Sequence, residues 1–452
     1  MGDFCTLQIH LSGAWRDAAT VSLLGPASHG GSARTYVEYV PGYAFENLDR
    51  NDAAAISAAI PVTLGGEGLP GWPGVLYDLM PQGHARRALL RYLGLPDDAR
   101  RAADWRLLMA GAGNPVGNVR VKEARQWLDA YAPDHEVRGY AMEDIAQRDE
   151  RFVEDLNARG AIAPGGSSAQ GEWPKMLLTQ SSVDGKLYPD HAVPDDCAHA
   201  HWIVKFMRES GYGGSMRLNT ILRAEAVYMR IAERLGLRVY QPDEMRLRGS
   251  ALFIPRFDRE LSPGGRVRHA QESVAVLCGK ADPEGPQPTH NDAVAAIASV
   301  ATNPAAEVAE YVKRDVVNIA LGNKDNHARN TALARRADGW IGLAPLYDFA
   351  PMGLHPDGIA RRMRWERDDG GAPDWRSVVA QAAAAARIDE QALCREVCAL
   401  AAPLRELEAG IGGYGLDDVV LGYVQPKLRA VADRISALEA ACSVAEHDGP
   451  TL

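Results

Sequence analysis

Gly322-Asn-Lys-Asp-Asn-His-Ala-Arg-Asn330 is preceded by Val308, Val312, Val316 and Ile319, which recur at helical spacing, so a helix delivers this loop. Asp325 is followed five residues later by Asn330. A carboxylate can orient a hydroxyl and take its proton, while an amide oxygen can hold a divalent cation. Phosphoryl transfer needs both, because the nucleophile must lie in line with the phosphorus while metal offsets the charge. The spacing is that of a protein-kinase catalytic loop. Taken alone, the pair reads more readily as helix-capping and turn residues. Further along, the apolar run Leu343-Ala-Pro-Leu-Tyr-Asp-Phe349 presents a second carboxylate, Asp348, placed as a metal ligand. Its arrival after Asp325 and Asn330 tips the reading toward phosphoryl transfer.

Working upstream, the strand His201-Trp-Ile-Val-Lys-Phe206 carries Lys205, and period-two alternation sets it opposite Trp202, Val204 and Phe206. Such a lysine either faces solvent or holds nucleotide phosphates, in which case a helix glutamate must position its ammonium. Glu225 is available in the next helix, expected from about Asn219 to Leu235 and stopped by Gly236. Gly165-Gly-Ser-Ser-Ala-Gln-Gly171 is a small-residue loop whose N–H groups could cover phosphates, or a plain linker. It lacks the Gly-x-x-x-x-Gly-Lys-Ser/Thr pattern, which disfavours a Walker-type NTPase.

The chain as a whole is consistent with a globular enzyme. It has 452 residues, 46 % apolar and 24 % charged, enough to bury a large core and incompatible with disorder throughout. Its 49 Lys and Arg against 59 Asp and Glu leave a net charge of −10. A broad nucleic-acid-gripping basic face is therefore not expected. No run approaches about 18 uninterrupted apolar residues, so no membrane span is expected. The start, with Asp3 and no basic residue before it, does not read as a signal peptide. Six cysteines without a Cys-x-x-Cys pair fit reduced thiols in a cytoplasm, with Cys394 and Cys398 as small core residues on one helix face.

Residues 1 to about 120 read as an α/β unit, with strands at Thr6–Leu11 and Thr35–Val40 and helices near 82–94 and 104–110. A charged helical connector follows to 160. Strands are then expected at 173–178, 200–206 and 250–254. Beyond about 285 the pattern is helical, apart from a loop-rich block at 322–375.

In this order, small-residue loop, strand Lys, helix Glu, Asp-x4-Asn and Asp, the chain resembles the HipA family of serine/threonine kinases, the toxins of bacterial toxin–antitoxin modules. The resemblance is carried by His201–Phe206, Arg223-Ala-Glu225, Ile254-Pro-Arg-Phe-Asp-Arg259, His269-Ala-Gln-Glu272, Gly322–Asn330 and Leu343–Asp348. Leu76-Tyr-Asp-Leu-Met-Pro81 and Asp104-Trp-Arg-Leu-Leu108 extend it to the N-terminal unit. It implies an α+β, two-lobed protein-kinase-like fold with an additional N-terminal α/β subdomain and a mainly helical C-terminal lobe. The divisions expected are 1–160, 161–285 and 286–452.

By the same resemblance, the chain would be an ATP- and Mg²⁺-dependent protein kinase with Asp325 as base and Asn330 and Asp348 on the metal. Lys205, positioned by Glu225, would contact ATP phosphates. Phe253 and Ile254 would form the hinge beside adenine, and Gly166, Ser167 and Ser168 the phosphate loop. One of the two serines would be autophosphorylated, unless both are plain turn residues. His327 would either organise the loop or act chemically. The implied target is a translation protein such as an aminoacyl-tRNA synthetase, and the implied partner a small helix-turn-helix antitoxin that supplies DNA contacts. The alternative is a catalytically weak, antitoxin-binding pseudokinase. After Asp348 this chain has Phe-Ala where kinases carry Phe-Gly, and the loop at 165–171 is longer than in the best-known members.

Overall fold

Cys5, Leu7, Ile9 and Leu11 alternate along the first strand, β1 (Phe4–Leu11), and all four are buried. The computed structural model describes residues 2–96, 98–131, 137–148, 175–208, 214–262 and 265–447. β1 pairs antiparallel with β2 (Ala14–Leu23) and with β5 (Val119–Val121). β3 (Thr35–Tyr39) and β4 (Glu67–Leu69) extend the sheet beyond β2, giving the order β4-β3-β2-β1-β5. Leu7, Ile9 and Val21 pack against Leu76, Trp105 and Leu108 of the helices Val75–Leu79 and Asp104–Gly111. The sequence reading places no strand where β2 runs. β2 is ten residues long, but Ala14, Asp17, Ala18 and Ala19 are weak strand formers, and cross-strand pairing overrides them.

The second sheet has the order β7-β6-β8-β10-β9: β6 (Lys175–Ser181), β7 (Leu187–Pro189), β8 (Ala198–Phe206), β9 (Arg246–Arg248) and β10 (Ala251–Pro255). Between β8 and β9 runs the helix Ser215–Arg234, four residues longer at its start than its apolar pattern suggests. A hairpin, β11 (Arg259–Ser262) with β12 (Gly265–Arg268), follows. A small sheet then joins β13 (Ala270–Ser273), β14 (Ala332–Arg335) and β15 (Ile341–Leu343). The last two strands lie inside the block read as loops.

The remainder is helical. His290–Val300, Pro304–Ala320, Trp375–Ala386, Glu390–Cys398 and Ala401–Gly410 surround one core. The helix Asp418–His447 closes it with a buried stripe, Val420, Val424, Leu428, Val431 and Ile435. Among the described residues no helix is long and apolar enough to cross a membrane. Cys5, Cys197, Cys278 and Cys398 are free thiols. Cys394 is disulfide-bonded, though not to Cys398, whose free thiol lies 3.9 Å away; this corrects the expectation of a reduced thiol at Cys394.

Two buried ionic locks tie the N-terminal sheet to the rest. Arg335 of β14 donates to the carbonyls of Asn51, Asp52 and Ala55 and lies 3.3 Å from Glu272. Glu272 in turn accepts from Ser57 Oγ and, at 2.8 Å, from the Ala58 N–H. The second lock is the Arg-Phe-Asp-Arg motif. Arg256 clasps Asp258 through two hydrogen bonds, Arg259 reaches Asp190 at 2.7 Å, and Asp258 accepts from the Gly117 N–H. Burial would raise Asp258, but Arg256 outweighs it and holds the carboxyl at about 2.

Candidate active site

β8 divides its side chains by alternation. Trp202, Val204 and Phe206 pack into a core with Leu178 and Phe253, while Ile203 and Lys205 face a cleft. Lys205 is only 4 % exposed, so it is not a solvated strand lysine. Its Nζ donates to Glu225 Oε1 at 2.6 Å. Glu225 is buried too, one turn before Met229 on the face of the helix Ser215–Arg234 that lines the same cleft.

Asp348 enters from the opposite side. Phe349, buried against Tyr228 with ring centroids 5.3 Å apart, pins the chain just beyond it. Asp348 itself takes a left-handed backbone at φ 50°, which Asp tolerates better than most residues. Its Oδ1 accepts from Lys205, and its Oδ2 from Lys175 of β6 at 3.2 Å. Two ammoniums and two carboxylates thus meet in one cluster, with Lys205 and Glu225 buried and Asp348 half-buried. Burial works against the Asp348 anion, but Lys175 and Lys205 hold it far below the usual carboxylate range. Burial would lower Lys205, and Asp348 with Glu225 keeps it charged. Lys175 is lowered by burial and Glu225 raised by it, so these two are the softer members.

The loop bearing Asp325 starts at a helix stop. Gly322 has φ 68°, and the Asn323 N–H reaches back to the Asn318 carbonyl at 2.8 Å, a Schellman closure of the helix Pro304–Ala320. The loop then winds around the Asp325 carbonyl. That oxygen accepts from the His327 N–H at 2.9 Å and from Asn330 Nδ2 at 2.8 Å. His327 Nδ1 accepts from the Arg329 N–H at 3.3 Å, and its Nε2 lies 3.8 Å from Asp325 Oδ1. Burial, then Arg329, lowers the imidazole to about 4, so it is neutral at pH 7 and its visible work is to organise the loop.

Asp325, His327, Asn330, Asp348, Lys205 and Glu225 all line one cleft. An adjoining compartment shares Lys205, Glu225, Asn330 and Asp348 and is walled by Ile203, Met229, Ile254, Pro255, Phe257 and Tyr347. Of the expected hinge pair, Ile254 lines this compartment. The Phe253 side chain does not; it packs edge-on against Trp202 on the other face of the sheet. Gly166, Ser167 and Ser168 lie outside the described residues.

Sequence reasoning passed over Pro255, Phe257 and Tyr347, although the first two sit inside the quoted Ile254–Arg259 stretch and Tyr347 precedes Asp348. It also gave the N-terminal unit no place in the site. Yet Val75, Asp78 and Leu79 line the apolar compartment, and Asp78 is fixed there by Ser273 N–H and Oγ at 2.7 and 2.8 Å. Burial pushes Asp78 up to about 6.

Asn330 Nδ2 donates to the Asp325 carbonyl, which leaves the amide Oδ1 as a candidate metal ligand on the cleft it shares with an ionised Asp348. No group of three or more His, Cys, Asp or Glu able to hold a metal occurs among the described residues. Two oxygen donors with room for phosphate and water suit Mg²⁺, which seldom takes an all-protein cage.

The sequence pattern of the HipA-like C-terminal domain matches residues 167–403, more than half of the chain. The chain belongs to this family. The HipA of Shewanella oneidensis MR-1, solved with HipB and operator DNA, overlays 96 % of this HipA-like chain and 97 % of its own at a TM-score of 0.61 and 17 % identity. That overlay establishes a shared fold, α+β and kinase-like. A protein of Sinorhizobium fredii (strain NBRC 101917 / NGR234) named "Putative kinase Y4mE" is 31 % identical over 140 residues. The match spans 29 % of this chain and a third (33 %) of that relative.

Proposed function

We propose that this HipA-like chain is an ATP- and Mg²⁺-dependent serine/threonine protein kinase. The observation that carries the reading is the convergence of Lys205, Glu225 and Asp348 in one ion cluster, on a cleft that Asp325 and Asn330 also line. Lys205 and Lys175 supply cations for the phosphates, and the compartment walled by Ile254, Pro255 and Phe257 takes the adenine. Asn330 and Asp348 would hold Mg²⁺, which when bound would offset charge on the transferring group. The acceptor hydroxyl oxygen forms a bond to the γ-phosphorus as the bond to the bridging oxygen breaks. Its proton passes to the Asp325 carboxylate, and ADP leaves. Retention of Lys205, Asp325, Asn330 and Asp348 disfavours the pseudokinase alternative.

The proposal extends to a serine at 167 or 168 as autophosphorylation site, a translation protein such as an aminoacyl-tRNA synthetase as target, and a helix-turn-helix antitoxin as partner. Incubation with MgATP followed by mass spectrometry tests the chemistry. Phosphate should accumulate on the wild type and be absent from Asp325→Ala, with circular dichroism unchanged. An Ala variant that kept the wild-type rate would remove Asp325 from the role of base.

A further inference from the structure

A separate cavity opens where the catalytic loop leaves its helix. Lys324 stands on one side, Tyr423, Lys427 and Arg434 of the helix Asp418–His447 on another, and Arg361 and Arg364 on a third. No carboxylate lines it among the described residues. The charge count decides what it can hold. Arg361 pairs with Asp315 at 2.8 Å and with Asp369 at 2.7 Å, and Arg364 lies 3.2 Å from Asp369. These two guanidiniums are therefore balanced by two carboxylates behind them.

Lys324, Lys427 and Arg434 are not balanced, since none has an ion pair among the described residues. Among the described residues the Lys427 ammonium is held by the Tyr423 carbonyl at 2.8 Å and by the Tyr423 ring, 3.5 Å from its centroid. Burial and the charge of Lys324 both lower Lys427, consistent with two cations facing one space. The Arg361 side chain, 7 % exposed, also lines the cavity, with its guanidinium held by Asp315 and Asp369. Between the cations the walls are apolar, including Ile319 and Val431.

We propose that this cavity is a binding site for a small organic phosphate. The doubly charged phosphate sits among Lys324, Lys427 and Arg434, and its apolar body lies against Tyr423 and Val431. Three uncompensated cations favour a dianion over a carboxylate, and apolar walls favour a phosphate ester over the free ion. The site is distinct from the cleft of Asp325 and does not depend on the kinase reading.

The test is calorimetric titration of the full chain with phenyl phosphate, inorganic phosphate and benzoate. Phenyl phosphate should bind, and both other probes should bind at least about tenfold more weakly. Arg434→Glu and Lys427→Gln, each checked for native circular dichroism, should weaken phenyl phosphate binding by about tenfold or more. Arg434 is exposed, so its substitution has little reason to disturb folding. Phenyl phosphate binding unchanged in both variants would place the ligand elsewhere, the nucleotide cleft included, and overturn the proposal. So would no binding at all. Benzoate binding as tight as phenyl phosphate would overturn the dianion assignment, and inorganic phosphate binding as tight would overturn the role of the apolar walls.

Discussion

Lys205 lies between Glu225 and Asp348 with almost no water around it, an arrangement that persists only because both carboxylates repay its desolvation. Replacing it with Met leaves Glu225 and Asp348 sharing Lys175 alone. Lys205→Met should cost roughly 3 kcal/mol in urea unfolding, as breaking one side of a buried ionic cluster does, and should abolish phosphate incorporation. An unaltered unfolding midpoint would contradict the cluster as described. The buried imidazoles set the pH response. Burial lowers His201 and His290 from 6.5 to about 4 in the folded chain. In the unfolded chain they take protons near 6.5, so stability is complete above that pH and falls as pH drops from 6.5 to about 4. Urea midpoints measured from pH 7.5 downward should decline through that window; a flat profile there would contradict neutral buried imidazoles. At this scale Lys205, Glu225 and Asp348 were legible as polar groups in or beside apolar runs, and Asp325 from its spacing to Asn330. Lys205's buried state was not, since one lysine on a strand looks the same whether water or two carboxylates face it.

Among the elements, the helix Pro304–Ala320 and its stop determine where the Asp325 loop begins. A side chain at Gly322 would have to adopt φ near 68°, and its Cβ would collide with the Tyr423 ring. Gly322→Ala should therefore lose about 1–2 kcal/mol and slow phosphoryl transfer by displacing Asp325. Differential scanning calorimetry alongside the incorporation assay checks both, and a stable variant with full activity would show that the stop does not position the loop. The amphipathic helix was readable because its apolar residues repeat every three or four positions. β2, β14 and β15 were not, because alanine-rich or very short strands carry little period-two signal and are stabilised by their partners across the sheet.

In the whole molecule, the N-terminal unit belongs to the same body as the cleft. Arg335 holds three of its carbonyls and Glu272 holds Ser57 and Ala58, while Val75, Asp78 and Leu79 wall the apolar compartment. Arg335→Met would orphan those carbonyls and leave Glu272 uncompensated, with an expected loss of about 3–5 kcal/mol. Limited proteolysis should then cut preferentially within residues 47–60, whereas an unchanged cleavage pattern would argue that the lock is dispensable. From its residues alone, the chain determined the order of its chemical groups and the helices that carry them, since those depend on local periodicity and spacing. Tertiary structure alone decided that Lys205 and Asp348, 143 positions apart, share a hydrogen bond. It also decided that Phe253 turns away from the cleft while Pro255 and Phe257 line it, and that an N-terminal helix supplies a wall. Contacts between distant segments depend on which faces are buried against each other, and no local pattern in one segment records the face presented by another.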